Sequence, residues 1–382
     1  MSLTDLSKIS LKSKMIILVL VPLMALIVMT SLFLNQSIER YFSSKNLIGN
    51  IEFLEQVHYL VDNLQLERGL SNAFIAGANN QDKLISQRKK VDEYLDKVNS
   101  YKGKEFLING AQNFFAELES LHKNRILVDG KLVSSKDNVK NYTHLIKISL
   151  DYYLVLAGES EKLSFGKNIS SLRILEEAKE YEGLLRATLS AVFASNSAIG
   201  QADVSRIVTL YTGVQSNLNS PLISLSDEAE KKIVGFKDQN HWKFVSDKYE
   251  LVLSKASTGD YHVDSMTFFS EISRCVSDLN EIVVDFMKVL KERADNFAQQ
   301  ALWQLINTIL MLLVLIVFLV LMLVFFVKSI NGPMLKITSS LFDSSQEVNS
   351  AAQHISDASQ LLAESANAQA SSIEEILPPW RN

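Results

Sequence analysis

Apolar residues run without a charge from Met15 to Leu34 and again from Ile306 to Val327, with a long polar stretch between them. Each run is long enough to cross a bilayer as a helix, since about 20 residues at roughly 1.5 Å per residue span the hydrocarbon core. The enclosed segment, residues 35–305, must then lie on one side of the membrane and both termini on the other. The second run is broken only by Asn307 and Thr308, which argues against a buried core helix. The first has the basic start of a cleavable signal peptide. Its length, however, exceeds the roughly 7–15 apolar residues of such peptides, and Asn35-Gln36-Ser37-Ile38 offers no small-residue cleavage site. An uncleaved anchor is expected.

Between the runs the apolar spacing is helical throughout. Leu54, Val57, Leu60, Val61, Leu64, Phe74 and Ile75 recur three and four residues apart, and no proline interrupts them. The first span therefore continues as a helix for about 40 more residues, roughly 60 Å. Breaks are expected at Gly77-Ala78-Asn79-Asn80, Lys102-Gly103-Lys104, Asp129-Gly130, Gly166, Gly200, Asn219-Ser220-Pro221 and Thr258-Gly259-Asp260. The segments between them carry apolar stripes such as Phe114, Leu118, Leu121 and Ile126. An all-α protein follows, its outer segment folded as two helical bundles side by side.

Basic residues give the orientation. Lys8, Lys12 and Lys14 precede the first span, and Lys328 and Lys336 follow the second. Lysine near a span stays on the cytoplasmic side, so residues 1–14 and the C-terminal tail are expected in the cytoplasm and residues 35–305 outside. The net charge of −5 and the lack of a basic, aromatic-interleaved cluster exclude nucleic-acid binding. Cys275, the only cysteine, is either a small buried residue or a link between subunits. Six scattered histidines, no nucleophile–base arrangement and no Gly-rich phosphate loop give no enzyme and no cofactor.

Two helices carry related text. The first reads Leu64-Gln65-Leu66-Glu67-Arg68-Gly69-Leu70-Ser71-Asn72; the second reads Lys179-Glu180-Tyr181-Glu182-Gly183-Leu184-Leu185-Arg186-Ala187. Each sets one arginine in an otherwise apolar packing face, and Gln65, Arg68 and Asn72 share a polar stripe. Small residues directly after the arginines, Gly69 and Ala187, would let another helix approach. Two such guanidinium forks on facing helices would hold a small planar anion. The other reading is ordinary pairing: Arg186 with Glu182 on a solvated face, and Arg68 with a glutamate of a neighbouring helix.

These texts resemble the nitrate- and nitrite-sensing, or NIT, domain, over most of residues 35–305. That family is all-helical and built of bundles. The resemblance implies that Arg68 and Arg186 hold nitrate or nitrite. Leu185 departs from it, standing where an acidic residue is common.

Beyond the second span, Lys328-Ser329-Ile330-Asn331-Gly332-Pro333-Met334 resembles the opening of a HAMP relay, giving a partial relay over residues 328–342. A heptad repeat follows at Met334, Leu341, Val348, Ile355, Leu362, Gln369 and Ile376. Its companion positions are small: Thr338, Ser345, Ala352, Ser359 and Ala366. This is the seam of a closely packed coiled coil. Within residues 343–376, Leu361 to Glu375 resembles the first methylation helix of bacterial methyl-accepting chemotaxis proteins. The resemblance implies Glu375 as the residue that receives the methyl ester, with Glu374 its neighbour. In a full-length form it also implies a histidine kinase, a coupling protein, a methyltransferase and a methylesterase as partners.

Residues 377–382 depart from the family: Pro378 and Pro379 stop the helix. A receptor truncated before its kinase-contact hairpin is the expectation. It would sit as a homodimer in the bacterial inner membrane, with both termini inside. The alternative is a membrane-anchored binding or dimerising module without signalling output.

Overall fold

The computed structural model describes residues 11–108, 111–224, 227–326, 328–329 and 332–376. It does not describe the side chains of residues 11–19, 227–228, 323, 326 and 374–376. Residues 1–10 with Lys8, Val327, the Ile330-Asn331 pair of the relay text, the side chains of Glu374 and Glu375, and Pro378-Pro379 thus lie outside the described residues.

Eleven α-helices are described: α1 (Leu11–Ile75), α2 (Gln81–Asn99), α3 (Ala111–Leu118), α4 (Ser120–Asp129), α5 (Ser135–Glu159), α6 (Gly166–Ser195), α7 (Gln201–Leu218), α8 (Asp227–Asp238), α9 (Asn240–Ser254), α10 (Ser265–Phe326) and α11 (Gly332–Ile376). Among the described residues there is no strand. The chain divides into two compact units, Met1–Ile306 and Asn307–Asn382.

In the first unit, α1 runs unbroken from the apolar run into the domain, as its proline-free spacing requires. Pro22 lies within the helix without ending it. The apolar stretch of α1 is almost wholly exposed, whereas Leu47, Ile51, Leu54, Val57, Leu60, Val61 and Leu64 further along are buried. Each such side chain taken out of water contributes about 1.5–3 kcal/mol. Helix α10 mirrors this. Phe268, Ile272, Cys275, Leu279, Ile282, Phe286 and Leu290 are buried at three- and four-residue spacing, and the apolar window that follows has no buried residue. One helix thus serves two solvents, and the exposed windows of both are long and apolar enough to cross a membrane.

Helix α1 packs on α2 and α5, and α6 on α7; α5 and α6 join the two groups within one continuous core. Helices α1 and α10 run antiparallel across the join. Arg40 lies over the Phe297 ring at 5.1 Å, and Lys291 reaches Glu52 at 3.7 Å and Glu55 at 3.5 Å. Every expected break falls between helices or at a helix end, with Asp129 closing α4 and Gly166 opening α6. Two more, at Glu119 between α3 and α4 and at Gln239 between α8 and α9, have neither glycine nor proline to mark them. Gly213 is needed for packing: a Cβ there would lie 2.8 Å from the Tyr181 ring, so α6 and α7 meet at that point. Gly259 turns the chain at φ +71°, and a Cβ there would come within 2.6 Å of the backbone at Ser197 and Ala198.

In the second unit α11 is exposed along its described length. Leu341, Val348, Ile355 and Leu362 of the heptad line are each 66–73% exposed. The seam expected of a coiled coil is present and unburied within one copy.

Candidate functional site

Arg68 is 5% exposed and faces α6 and α5. Its fork grips Glu180, Nη1 to Oε1 at 2.5 Å and Nη2 to Oε2 at 3.0 Å, and Nη1 also donates to Thr143 Oγ1 at 2.8 Å. Gln65, one turn earlier, donates to the same carboxylate at 2.9 Å. The expected polar stripe is real, and its third member, Asn72, accepts from Asn138 at 3.2 Å. The small residue that admits the guanidinium is Gly183, where a Cβ would lie 3.9 Å from Arg68 Nη2. Gly69 and Ala187, expected in that role, are exposed, because each is turned about 100° round its helix from the arginine it follows.

Arg186 comes to the same place from α6, close enough for the charge of Arg68 to act on it. Its Nη1 donates to Ser273 Oγ on α10 at 3.1 Å, and the guanidinium lies over the Phe269 ring at 5.1 Å. Among the described residues no carboxylate lies within ion-pair distance of it. Burial lowers its pKa; Arg68 adds to that, and Glu182 opposes it.

The solvated Glu182–Arg186 pair allowed by their spacing does not form. Glu182 is wholly buried; no nitrogen or oxygen donor bonds its carboxyl, and only the Cys275 thiol lies against it. Burial holds its carboxyl well above the usual range, with Arg186 and the Cys275 thiol opposing and Asp278 assisting. Burial without a cation in reach thus favours its uncharged form. The cluster holds two guanidinium groups, and Glu180 is the one carboxylate bonded to either of them. Cys275 itself is buried and free.

A family model described as nitrate and nitrite sensing matches residues 59–290, well over half of the chain and including both arginines. The chain belongs to the NIT family. A solved structure, described as that of the NasR transcription antiterminator, shares the fold. Its TM-score is 0.58 at 15% identity, with 75% of this chain and 83% of that one covered. A comparison with curated proteins returned no match.

The NIT domain carries a second buried charge cluster about two to three turns back along α1 from Arg68. Lys179, 1% exposed, donates to Asp62 Oδ1 at 2.6 Å and Asn280 Oδ1 at 2.7 Å, and lies 3.2 Å from Glu176 Oε2. His58 bonds Glu176 through Nδ1, and because a carboxylate only accepts, that nitrogen carries the hydrogen. His58, Asp62 and Glu176 present donor atoms within 4.8 Å of one another, a spacing a divalent metal could use. The Lys179 ammonium already lies against two of them and supplies the cation. The cluster ties α1, α6 and α10 together beside the anion site.

Burial alone would raise the pKa of Glu176, but Lys179 and His58 pull it down to about 2 from the usual 4.5. Its stabilising contribution is complete above pH 4.5 and is lost as pH falls through 2, by roughly 3 kcal/mol. Unfolding midpoints measured between those pH values will fall in the native chain and fall less in a Glu176→Gln variant.

Sequence reasoning missed Glu67. It is wholly buried, accepts from Arg125 at 2.7 and 2.8 Å and from the Tyr142 hydroxyl at 2.7 Å, and so fastens α1 to α4 and α5. The signal was available: Leu60, Leu64, Glu67 and Ser71 form one stripe at helical spacing, and an acid within such a stripe needs a buried cation.

Proposed function

We propose that this chain is the input part of a transmembrane methyl-accepting receptor whose NIT domain binds nitrate or nitrite between Arg68 and Arg186. One observation carries the reading: Arg186 is a partly buried guanidinium with no carboxylate in ion-pair reach, next to a second guanidinium. A lone buried cation is costly, and a small anion removes the cost. The fork of donors suits a planar oxyanion.

In this reading residues 35–305 face the periplasm, residues 15–34 and 306–327 span the inner membrane, and both termini are cytoplasmic. The domain acts as a sensor and not as an enzyme. Anion binding draws Arg68 and Arg186 together and alters how α6 sits against α1 and α10. Both of those helices continue into the apolar runs, so a small repacking reaches the membrane. Residues 328–342 pass it on as a partial HAMP-like relay. The exposed seam of α11 pairs with a second copy in a homodimer. Glu375, with Glu374 beside it, takes the methyl ester, removing a negative charge from the packed bundle. In a full-length form the kinase, coupling protein, methyltransferase and methylesterase act on that bundle.

Two experiments test this. Calorimetric titration of the full chain in lipid nanodiscs should show binding of nitrate or nitrite, and no binding of either would end the reading. Alkaline phosphatase fused after Gly130 should be active; an inactive fusion would place the NIT domain in the cytoplasm.

A further inference from the structure

Each arginine of the anion site donates through Nη1 to a hydroxyl on another helix. Arg68 reaches Thr143 Oγ1 on α5 at 2.8 Å, and Arg186 reaches Ser273 Oγ on α10 at 3.1 Å. A hydroxyl within a helix commonly gives its own hydrogen to the carbonyl one turn back. Nearby residues do so: Ser149 of α5 donates to Leu145 O at 2.9 Å, and Thr188 of α6 to Leu184 O at 2.8 Å. Thr143 and Ser273 do not. Both are half-buried, each accepts from its arginine, and among the described residues no acceptor takes the hydrogen of either. A hydroxyl has one hydrogen and two lone pairs, so one that accepts from a cation still has a donor to place. Accepting from a cation also polarises the O–H bond and makes it the stronger donor.

We propose that Thr143 and Ser273 bind the anion directly, each turning its hydroxyl hydrogen to an oxygen of the ligand while its own oxygen braces the arginine beside it. The inference rests on the placement of the site at Arg68 and Arg186. All four residues lie inside helices, where the backbone N–H groups are taken up by the helix itself, so every donor must come from a side chain. The guanidinium groups supply only part of the set. Of its five N–H groups, Arg68 commits three to Glu180 and Thr143, and Arg186 commits one to Ser273. The hydroxyls add donors from two further directions. Four helices then converge on one ligand: α1 with Arg68, α5 with Thr143, α6 with Arg186 and α10 with Ser273. Ser273 gives the ligand its hold on α10, the helix that carries the second apolar run. Filling the site draws α10 toward α6 through that hydroxyl as well as through Arg186.

Calorimetric titration of the full chain in nanodiscs with sodium nitrate tests this. Ser273→Ala and Thr143→Val should each raise the nitrate Kd about tenfold, the scale of one hydrogen bond to a charged group. Neither should shift the ligand-free Tm by more than about 4 °C, which shows that the fold is intact. Ser273→Thr keeps the hydroxyl and should bind within about threefold of the native chain. A double-mutant cycle with Arg186→Lys separates a hydroxyl that donates to the anion from one that only aims the arginine. Lysine is a point charge with no fork to aim, so a bracing Ser273 would become dispensable there, whereas a donor would still be worth about tenfold. Native affinity in both Ser273→Ala and Thr143→Val would overturn the proposal, as would a Ser273→Ala change without effect in the lysine background. An Arg186→Ala variant separates the two levels. If it loses nitrate while Ser273→Ala and Thr143→Val keep native affinity, only the role of the hydroxyls falls. If it binds nitrate normally, or if the native chain binds neither nitrate nor nitrite, the site falls with them.

Discussion

Replacing Lys179 with methionine will lower the unfolding free energy of the NIT domain by about 3–5 kcal/mol, the largest stability loss expected of any single change here. Methionine matches lysine in length and apolar stem, so no large cavity is left. What disappears is the cation. Glu176 would remain wholly buried with His58 as its neighbour, and Asp62 would lose its 2.6 Å contact. Removing one partner of a buried pair leaves the other charge uncompensated, which costs far more than the pair itself is worth. Asn280 would also lose its donor on α10, so the tie between α1, α6 and α10 would loosen at one stroke. In a domain of this size each kcal/mol lowers Tm by roughly 2–4 °C, so thermal unfolding followed by circular dichroism suffices. A Lys179→Met, Glu176→Gln double variant should recover part of the loss, because it removes both charges. A double variant no better than the single one would mean that packing, rather than charge, sets the cost.

That cluster also marks where sequence reading stops. Helix content, the seven breaks, the long continuation of α1 and the placing of Arg68 and Arg186 within helices all follow from local signals: apolar spacing, glycine, proline and motif text. The partner of each charge does not. Glu180, Glu182, Lys179 and Glu176 fall within seven residues of α6 and look alike in sequence. In three dimensions one meets Arg68, one meets only the Cys275 thiol, and two meet each other. Helical rotation of 100° per residue sends adjacent positions to different neighbours. Which neighbour stands there depends on α1, α5 and α10, more than 20 residues away in each case. Their surroundings then split the two glutamates further: Glu180 is held by the Arg68 fork, while burial pushes the Glu182 carboxyl up. The Gly69 and Ala187 expectation failed for the same reason: the side chain that lies against Arg68 is the missing one at Gly183, on another helix.

The two arginines should therefore answer truncation in opposite ways. Arg186→Ala will weaken nitrate binding by roughly two to three orders of magnitude, the scale of losing charge-assisted hydrogen bonds to a buried anion, about 2–5 kcal/mol. It will leave stability unchanged or slightly raised without ligand, because a burdensome unmatched cation has gone. Arg68→Ala will also weaken binding, yet it strips Glu180 of its bidentate partner and leaves that 9% exposed carboxylate to Gln65 alone. Its ligand-free stability should fall by about 3–5 kcal/mol. Arg186→Lys should restore only part of the affinity, since a point charge cannot offer two parallel donors to a planar anion. Nitrate calorimetry paired with thermal unfolding of the three variants resolves these outcomes. If Arg186→Ala unfolds as readily as Arg68→Ala, then Arg186 has a partner in the fold, and its unmatched charge cannot be what draws in an anion.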